Sequence, residues 1–182
     1  MKRVAILGPG GAGKSRLAVA LGRLIGTKVL YLDQLFWQPG WVPRGEAEWE
    51  QLQLEERASD AWIVEGMTEH NSALWLDAAD TVVLLDTPPL TCIWRVTTRR
   101  LRSEEAIGLP AGCAPAPAHR AFLKFLRRLW RYERTTLPAI KADLARRGDE
   151  LRVVVLRNDR ETEEFLASAG PTAQRSPIGE LS

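Results

Sequence analysis

Hydrophobic residues fall into short blocks separated by glycine, proline or charge, and the spacing inside each block distinguishes strands from helices. Val4-Ala5-Ile6-Leu7 is a continuous apolar run, the pattern of a strand buried on both faces of a parallel sheet. Leu17, Ala18, Leu21, Leu24 and Ile25 then recur at helical spacing, and Gly26 stands where a left-handed residue would end the helix. Four further strands are expected at 28–32, 62–65, 81–85 and 151–156, separated from one another by helical or loop segments. This alternation predicts an α/β fold of three layers, with helices on both faces of a parallel sheet. A Trp/Pro/Gly-rich loop, Phe36-Trp37-Gln38-Pro39-Gly40-Trp41-Val42-Pro43, leads into a polar helix expected from about 46 to 59. A second irregular stretch, 108–117, holds three prolines and two glycines, cannot be regular helix, and reads as a mobile cover between two helical segments. Beyond Gly170 the periodicity stops and a frayed tail over 170–182 is expected.

Length and composition narrow the class. The chain has 182 residues, 45% hydrophobic and 26% charged, which predicts one compact domain over 1–169 and excludes disorder for its bulk. No apolar run approaches the ~18 residues of a membrane helix, and the glycines after Leu7 interrupt any signal-peptide core, so a cytoplasmic protein without membrane association is expected. Cys92 and Cys113 lack a CxxC partner, and with His70 and His119 scattered they form no zinc-ligand pattern; both are expected to be reduced and structural. The net charge of +2 conceals an asymmetry, because Arg95 to Arg147 carries 13 Lys/Arg against 4 Asp/Glu. The middle of the chain therefore expects an anionic partner.

Gly8-Pro9-Gly10-Gly11-Ala12-Gly13-Lys14-Ser15 satisfies GxxxxGK[ST] in full, and it lies between an expected strand and an expected helix. Glycines let successive backbone N–H groups turn inward around an anion, and the helix N-terminus adds partial positive charge. Lys14 would reach the β- and γ-phosphates of a nucleotide and the Ser15 hydroxyl would ligate Mg²⁺, so ATP and Mg²⁺ are the expected cofactors. In an open α/β sheet ligands bind beyond the carboxyl ends of the strands, which directs attention to the acids there. Asp33, Glu65 and Asp86 each close an expected strand. Phosphoryl transfer uses one carboxylate in the Mg²⁺ shell and often another to orient or deprotonate the attacking hydroxyl. Asp33 and Glu65 are assigned to those two tasks, whereas Asp86, before Thr87-Pro88-Pro89, is expected to cap the next helix.

Arginines fall at helical spacing in two places. Arg95, Arg99 and Arg102 share one face, with Arg100 beside them. Arg120, Lys124, Arg127, Arg131 and Arg134 step by 4, 3, 4 and 3, with Phe122, Leu126, Leu129 and Trp130 expected opposite. The second row fits a solvated face, a wall of the phosphate cleft or a nucleic-acid surface.

Taken in order, the phosphate cradle, YLDQLFWQPGW, WIVEG, the D-x-P-x(6)-R-x(3)-RR run from Asp86 to Arg100 and the closing VVVLRN are similar to the nucleoside-monophosphate-kinase-like P-loop proteins. More narrowly, from about Lys2 to Leu166 the chain resembles the group named topology modulation proteins, of which the L-D-x-L-F-W-x-P-G-W stretch is distinctive. The resemblance implies a five-stranded parallel sheet, a substrate-binding flap at about 34–60 and a lid at about 103–117. It implies that Arg95 stacks on the nucleotide base, Arg99 contacts phosphates, Glu65 belongs to the Mg²⁺ shell, and Arg157-Asn158 line the adenine pocket. Three positions depart from the pattern. Arg16 follows Ser15 at the end of the nucleotide-binding stretch, Glu65-Gly66-Met67-Thr68 replaces a D-G-N-Y motif, and the lid stretch is rich in Ala, Pro and Gly rather than Arg and Asp. Two functions follow as expectations: an ATP-dependent, Mg²⁺-requiring phosphotransferase acting on a small acceptor such as a nucleoside or nucleotide, or a nucleotide-binding regulator that contacts DNA through the second basic row.

Overall fold

The computed structural model describes residues 1–67, 71–102, 107–108, 110–113, 119–148 and 151–170, the side chains of 119 and 120 excepted. Of the stretch expected to form a lid, only 107–108 and 110–113 are among them. Thr68, His70, the Arg120 side chain and the tail beyond Gly170 lie outside the described residues. The order is β1 (Arg3–Leu7), α1 (Lys14–Ile25), β2 (Val29–Tyr31), α2 (Leu32–Phe36), β3 (Trp37–Gln38), β4 (Val42–Pro43), α3 (Glu46–Arg57), β5 (Trp62–Glu65), α4 (Ser72–Leu76), β6 (Thr81–Leu85), α5 (Pro89–Leu101), α6 (His119–Arg146), β7 (Arg152–Leu156) and α7 (Asp159–Ala169).

The five expected strands form one sheet in the order β2-β5-β1-β6-β7, every pair parallel. Alternate residues of each strand feed two separate cores, which is why the runs are continuously apolar rather than alternating. Val4, Ile6, Ile63 and Val83 join Leu17 and Leu21 of α1, Cys92 and Val96 of α5, Leu129 of α6 and Phe165 of α7 on one face. Ala5, Leu7, Val64, Val82 and Leu84 join Trp75 and Leu76 of α4 and Leu137 and Leu144 of α6 on the other. The 28-residue α6 thus serves both cores in succession, one with each half, and carries Pro138 in its interior.

Two local departures from the expected elements bear on the site. β2 stops at Tyr31, because Leu32 and Asp33 already belong to the first turn of α2. The aromatic loop is a short antiparallel hairpin, β3 pairing with β4, that turns through Gly40 and Trp41 with φ of 79° and 62°. At α1 the expected stop holds: Gly26 adopts φ 67° and donates its N–H to the Gly22 carbonyl.

Candidate functional site

The loop between β1 and α1 is shaped by glycines that other residues could not replace. Gly8, Gly11 and Gly13 have φ of 145°, 81° and 102°. A Cβ on Gly8 would stand 2.8 Å from the Leu85 carbonyl oxygen, and one on Gly11 would stand 2.7 Å from that of Cys92. The helix that follows has no side-chain cap on its first N–H groups and no acidic residue in its first turn. Its positive end is therefore left to whatever the loop surrounds. Ala12 is buried in the loop and donates its N–H to the Pro9 carbonyl at 3.2 Å, and Lys14 Nζ bonds the same carbonyl at 3.1 Å. Arg16, two residues on, is exposed on the first turn of α1.

The register Ile6–Glu65 and Tyr31–Glu65 sets the end of β5 between the ends of β1 and β2, so the cradle and the Asp33 turn flank Glu65. Glu65 is 8% exposed, and Ser15 Oγ donates to its Oε1 at 2.7 Å. Burial raises the Glu65 carboxyl above its ordinary range, against the pull of Lys14 and the Ser15 bond. Asp33 is exposed, yet the surrounding protein atoms also raise its carboxyl, with Lys14 and Arg128 opposing. Lys14 shifts the other way: burial lowers it, while Glu65 and Asp33 pull it back up. One cation and two carboxylates thus lie together at the carboxyl ends of three adjacent strands. A hydroxyl and a carboxylate in direct contact are a hard-oxygen donor set suited to Mg²⁺, and the open helix terminus beside Lys14 suits a phosphate chain.

The arginines divide. Arg95 pairs through one guanidinium nitrogen with both carboxylate oxygens of Asp159, at 2.9 and 2.8 Å, and also reaches the Ala12 carbonyl at 3.5 Å, so it joins α5 to the cradle and to the start of α7. Arg99 is exposed with no ion pair among the described residues. Arg157 and Asn158 precede α7, where Asn158 Oδ1 accepts the Glu161 N–H and Glu161 accepts the Arg157 N–H, a reciprocal cap. Asp86 does not cap α5, whose start at Pro88 has no side-chain cap; it accepts instead from Lys141 of α6 at 2.8 Å. Pro88 at the N-cap position has no side-chain acceptor to offer, and Pro89 at the first helical position lacks an N–H in any case. Lys124, Arg127, Arg131 and Arg134 are exposed, and so is Trp130, expected opposite them but 51% accessible. The helix buries Phe122, Phe125, Leu126 and Leu129 instead.

Two features escape the sequence patterns. Arg128 acts electrostatically on both Lys14 and Asp33, and its guanidinium lies 5.6 Å from the centroid of the Phe125 ring. That ring lies against Gly10, where a Cβ would stand 2.6 Å from Phe125 Cζ. The available signal was its place at the edge of the buried stripe rather than in the regular basic row. The other feature is contact between the two irregular stretches. Gly40 donates to the Gly112 carbonyl at 3.1 Å, Trp41 N–H donates to Cys113 Sγ at 3.4 Å, and the Cys113 thiol donates to the Gln38 carbonyl at 3.3 Å. Gly108 lies against Tyr31 and Glu65, its Cβ position 2.9 Å from Tyr31 Cδ1 and 3.4 Å from Glu65 Oε1. The described part of the expected lid is therefore docked on the hairpin and over the end of β5.

Comparison with solved structures settles the architecture. Shikimate kinase from Acinetobacter baumannii, in complex with shikimate, superposes with a TM-score of 0.54 over 97% of this chain and 96% of that one, at 16% identity. The fold is that of the P-loop kinases. Weaker similarity is found to shikimate kinase from Bacteroides thetaiotaomicron (TM-score 0.49, 15% identity, 91% and 94% covered) and to deoxyadenosine kinase from M. mycoides with products dCMP and dCDP bound (0.42, 13%, 91% and 97%). No protein-family model and no curated protein matches the chain. No described helix is long and apolar enough to cross a membrane, and no group of three or more metal-ligating side chains occurs among the described residues.

Proposed function

We propose that the protein is an ATP-dependent phosphotransferase that carries the γ-phosphoryl group to a hydroxyl of a small acceptor, with Mg²⁺ as cofactor, in the manner of the topology modulation group that its sequence resembles. The observation that carries this reading is the Ser15–Glu65 hydrogen bond of 2.7 Å, with Lys14 and Asp33 on either side of it. On this reading Ser15 and Glu65 hold Mg²⁺, which would neutralise charge on the phosphates. The backbone from Gly8 to Gly13 and the first turn of α1, with Arg16, surround the phosphate chain, and Lys14 exchanges its bond to the Pro9 carbonyl for the β- and γ-oxygens. Arg95 and the Arg157-Asn158 turn flank the base, with Asp159 fixing the Arg95 guanidinium. Asp33 orients the acceptor hydroxyl and takes its proton, and Arg99 closes on the phosphates with the lid.

A screen of labelled ATP against nucleosides, nucleoside monophosphates and other small alcohols, with Mg²⁺ present, tests the reading. Transfer to at least one acceptor is expected, and Lys14→Ala should lower turnover by roughly 10²-fold or more while leaving the fold intact. Equal ATP affinity and turnover in wild type and variant would remove the cradle from the chemistry.

A further inference from the structure

The stretch of chain that contains Asp33 has an unusual charge inventory. From Val29 to Trp94 the chain runs through α2, the hairpin, α3, β5, α4 and β6, and it carries 2 Lys/Arg against 12 Asp/Glu. Neither cation acts on Asp33. Arg44, which precedes α3, is held by the Leu35 carbonyl and by Glu48 of that helix. Arg57 ends α3, and its carbonyl accepts the indole N–H of Trp62 at 3.3 Å, at the opposite end of β5 from Glu65. Residues 103–119, which include the segment docked over Tyr31 and Glu65, contain no Lys or Arg. The cations whose charges act on Asp33 are Lys14, which is part of the cradle, and Arg128, stacked on the Phe125 ring that covers Gly10. Lys14 stands in the cradle itself, and Arg128 reaches toward it from α6. What the hairpin offers an acceptor is aromatic surface: Trp37 and Trp41 meet edge to face at 5.7 Å, and Trp41 is 38% exposed.

From this distribution we infer that the acceptor is an uncharged or positively charged alcohol and not a phosphomonoester or carboxylate. The inference rests on the phosphotransferase reading and narrows it. An anionic acceptor would enter beside Asp33, Glu65 and the donor phosphates with no counter-cation from its own wall, and an unpaired charge in such a place is costly. A neutral alcohol has no such cost, and a sugar ring or base can lie on the tryptophan surface; an ammonium group is attracted both by the Asp33 and Glu65 carboxylates and by the ring faces. The step balances without another reactant. Asp33 takes the hydroxyl proton, the acceptor oxygen bonds to the γ-phosphorus, the bond from that phosphorus to the β–γ bridging oxygen breaks, and ADP leaves with the electron pair.

The test uses wild-type protein with ATP and Mg²⁺ and presents acceptors in pairs, each alcohol with its own phosphate ester: nucleoside with nucleoside monophosphate, sugar with sugar phosphate, and amino sugar with amino sugar phosphate. The expected result is a kcat/KM for the unesterified partner roughly 10²-fold or more above that of its ester. Arg128→Ala should lower kcat for the alcohol without altering the ratio within a pair. Equal or better use of the phosphate ester overturns this inference and leaves the phosphotransferase reading standing. A ratio that collapses in Arg128→Ala also overturns it, because Arg128 would then be setting the choice of acceptor. Failure to phosphorylate any member of the panel, by protein that binds ATP, counts against the phosphotransferase reading itself and takes this inference with it.

Discussion

Asp33 and Glu65 are carboxyls that the folded chain makes harder to ionise, Glu65 because it is buried and Asp33, though exposed, because neighbouring protein atoms displace part of the water around it. A carboxyl whose folded pKa is raised binds protons more tightly in the native state than in the unfolded one, so its ionisation lowers stability as pH rises from its unfolded value through its folded value. At neutral pH each therefore costs stability, which is common where charge is kept for chemistry. Asp33→Asn should accordingly melt at a higher temperature than wild type at pH 7, with the difference shrinking as pH falls to about 4, where an unfolded aspartate is itself half protonated. Thermal melts across that range check the sign; a lower melting temperature at pH 7 would mean that the Asp33 charge is stabilising. For Glu65 the expected effect is on the metal. Glu65→Gln keeps an acceptor for the Ser15 hydroxyl but loses the charge, so the Mg²⁺ concentration for half-maximal ATP turnover should rise roughly tenfold. A magnesium titration of both proteins measures it. Glu65 and the cradle were legible in sequence because a strand end and a glycine motif each have a local signature. Arg128 was not: its importance comes from where α6 crosses the cradle, and the regular row of Lys124, Arg127 and Arg131 beside it draws attention away.

At the scale of elements, the decisive contact is α6 lying across the phosphate loop. Gly10 needs no unusual φ, so its reason for being glycine is the Phe125 ring, 2.6 Å from where a Cβ would be. Gly10→Ala should cost about 1–3 kcal/mol in the wild-type background through overpacking. In Phe125→Ala, where the ring is gone, the same change should cost less than half as much. Denaturation of the four proteins of this double-mutant cycle gives the coupling directly, and additive costs would place Phe125 away from the loop. The strands were readable because double-sided burial leaves continuous apolar runs. The shortening of β2 was not, because Leu32 is buried whether the chain continues as strand or turns into α2. The Asp86–Lys141 and Arg95–Asp159 pairs join residues 55 and 64 positions apart, and local spacing cannot reveal partners at such separations. The docking of 110–113 on the hairpin is equally non-local: a Gly/Pro-rich stretch reads as a loop, and only the fold supplies the hairpin edge that meets its Gly112 carbonyl and Cys113 thiol.

Across the whole molecule, one sheet with two cores fixes the ends of β1, β5 and β2 side by side, and that adjacency brings the glycine loop with Lys14, the Ser15–Glu65 pair and the solvent-facing Asp33 carboxylate next to one another. On the proposed function, donor binding and acceptor activation are separated in space. The most direct test is to measure both quantities on Asp33→Asn, which preserves shape and hydrogen-bonding capacity while removing the charge. ATP affinity in the presence of Mg²⁺ should stay within about twofold of wild type, and acceptor-dependent phosphoryl transfer should fall by roughly 10²-fold or more. An unchanged transfer rate, or a large loss of ATP affinity, would contradict the assignment of Asp33 to the acceptor hydroxyl and with it the proposed layout of the site.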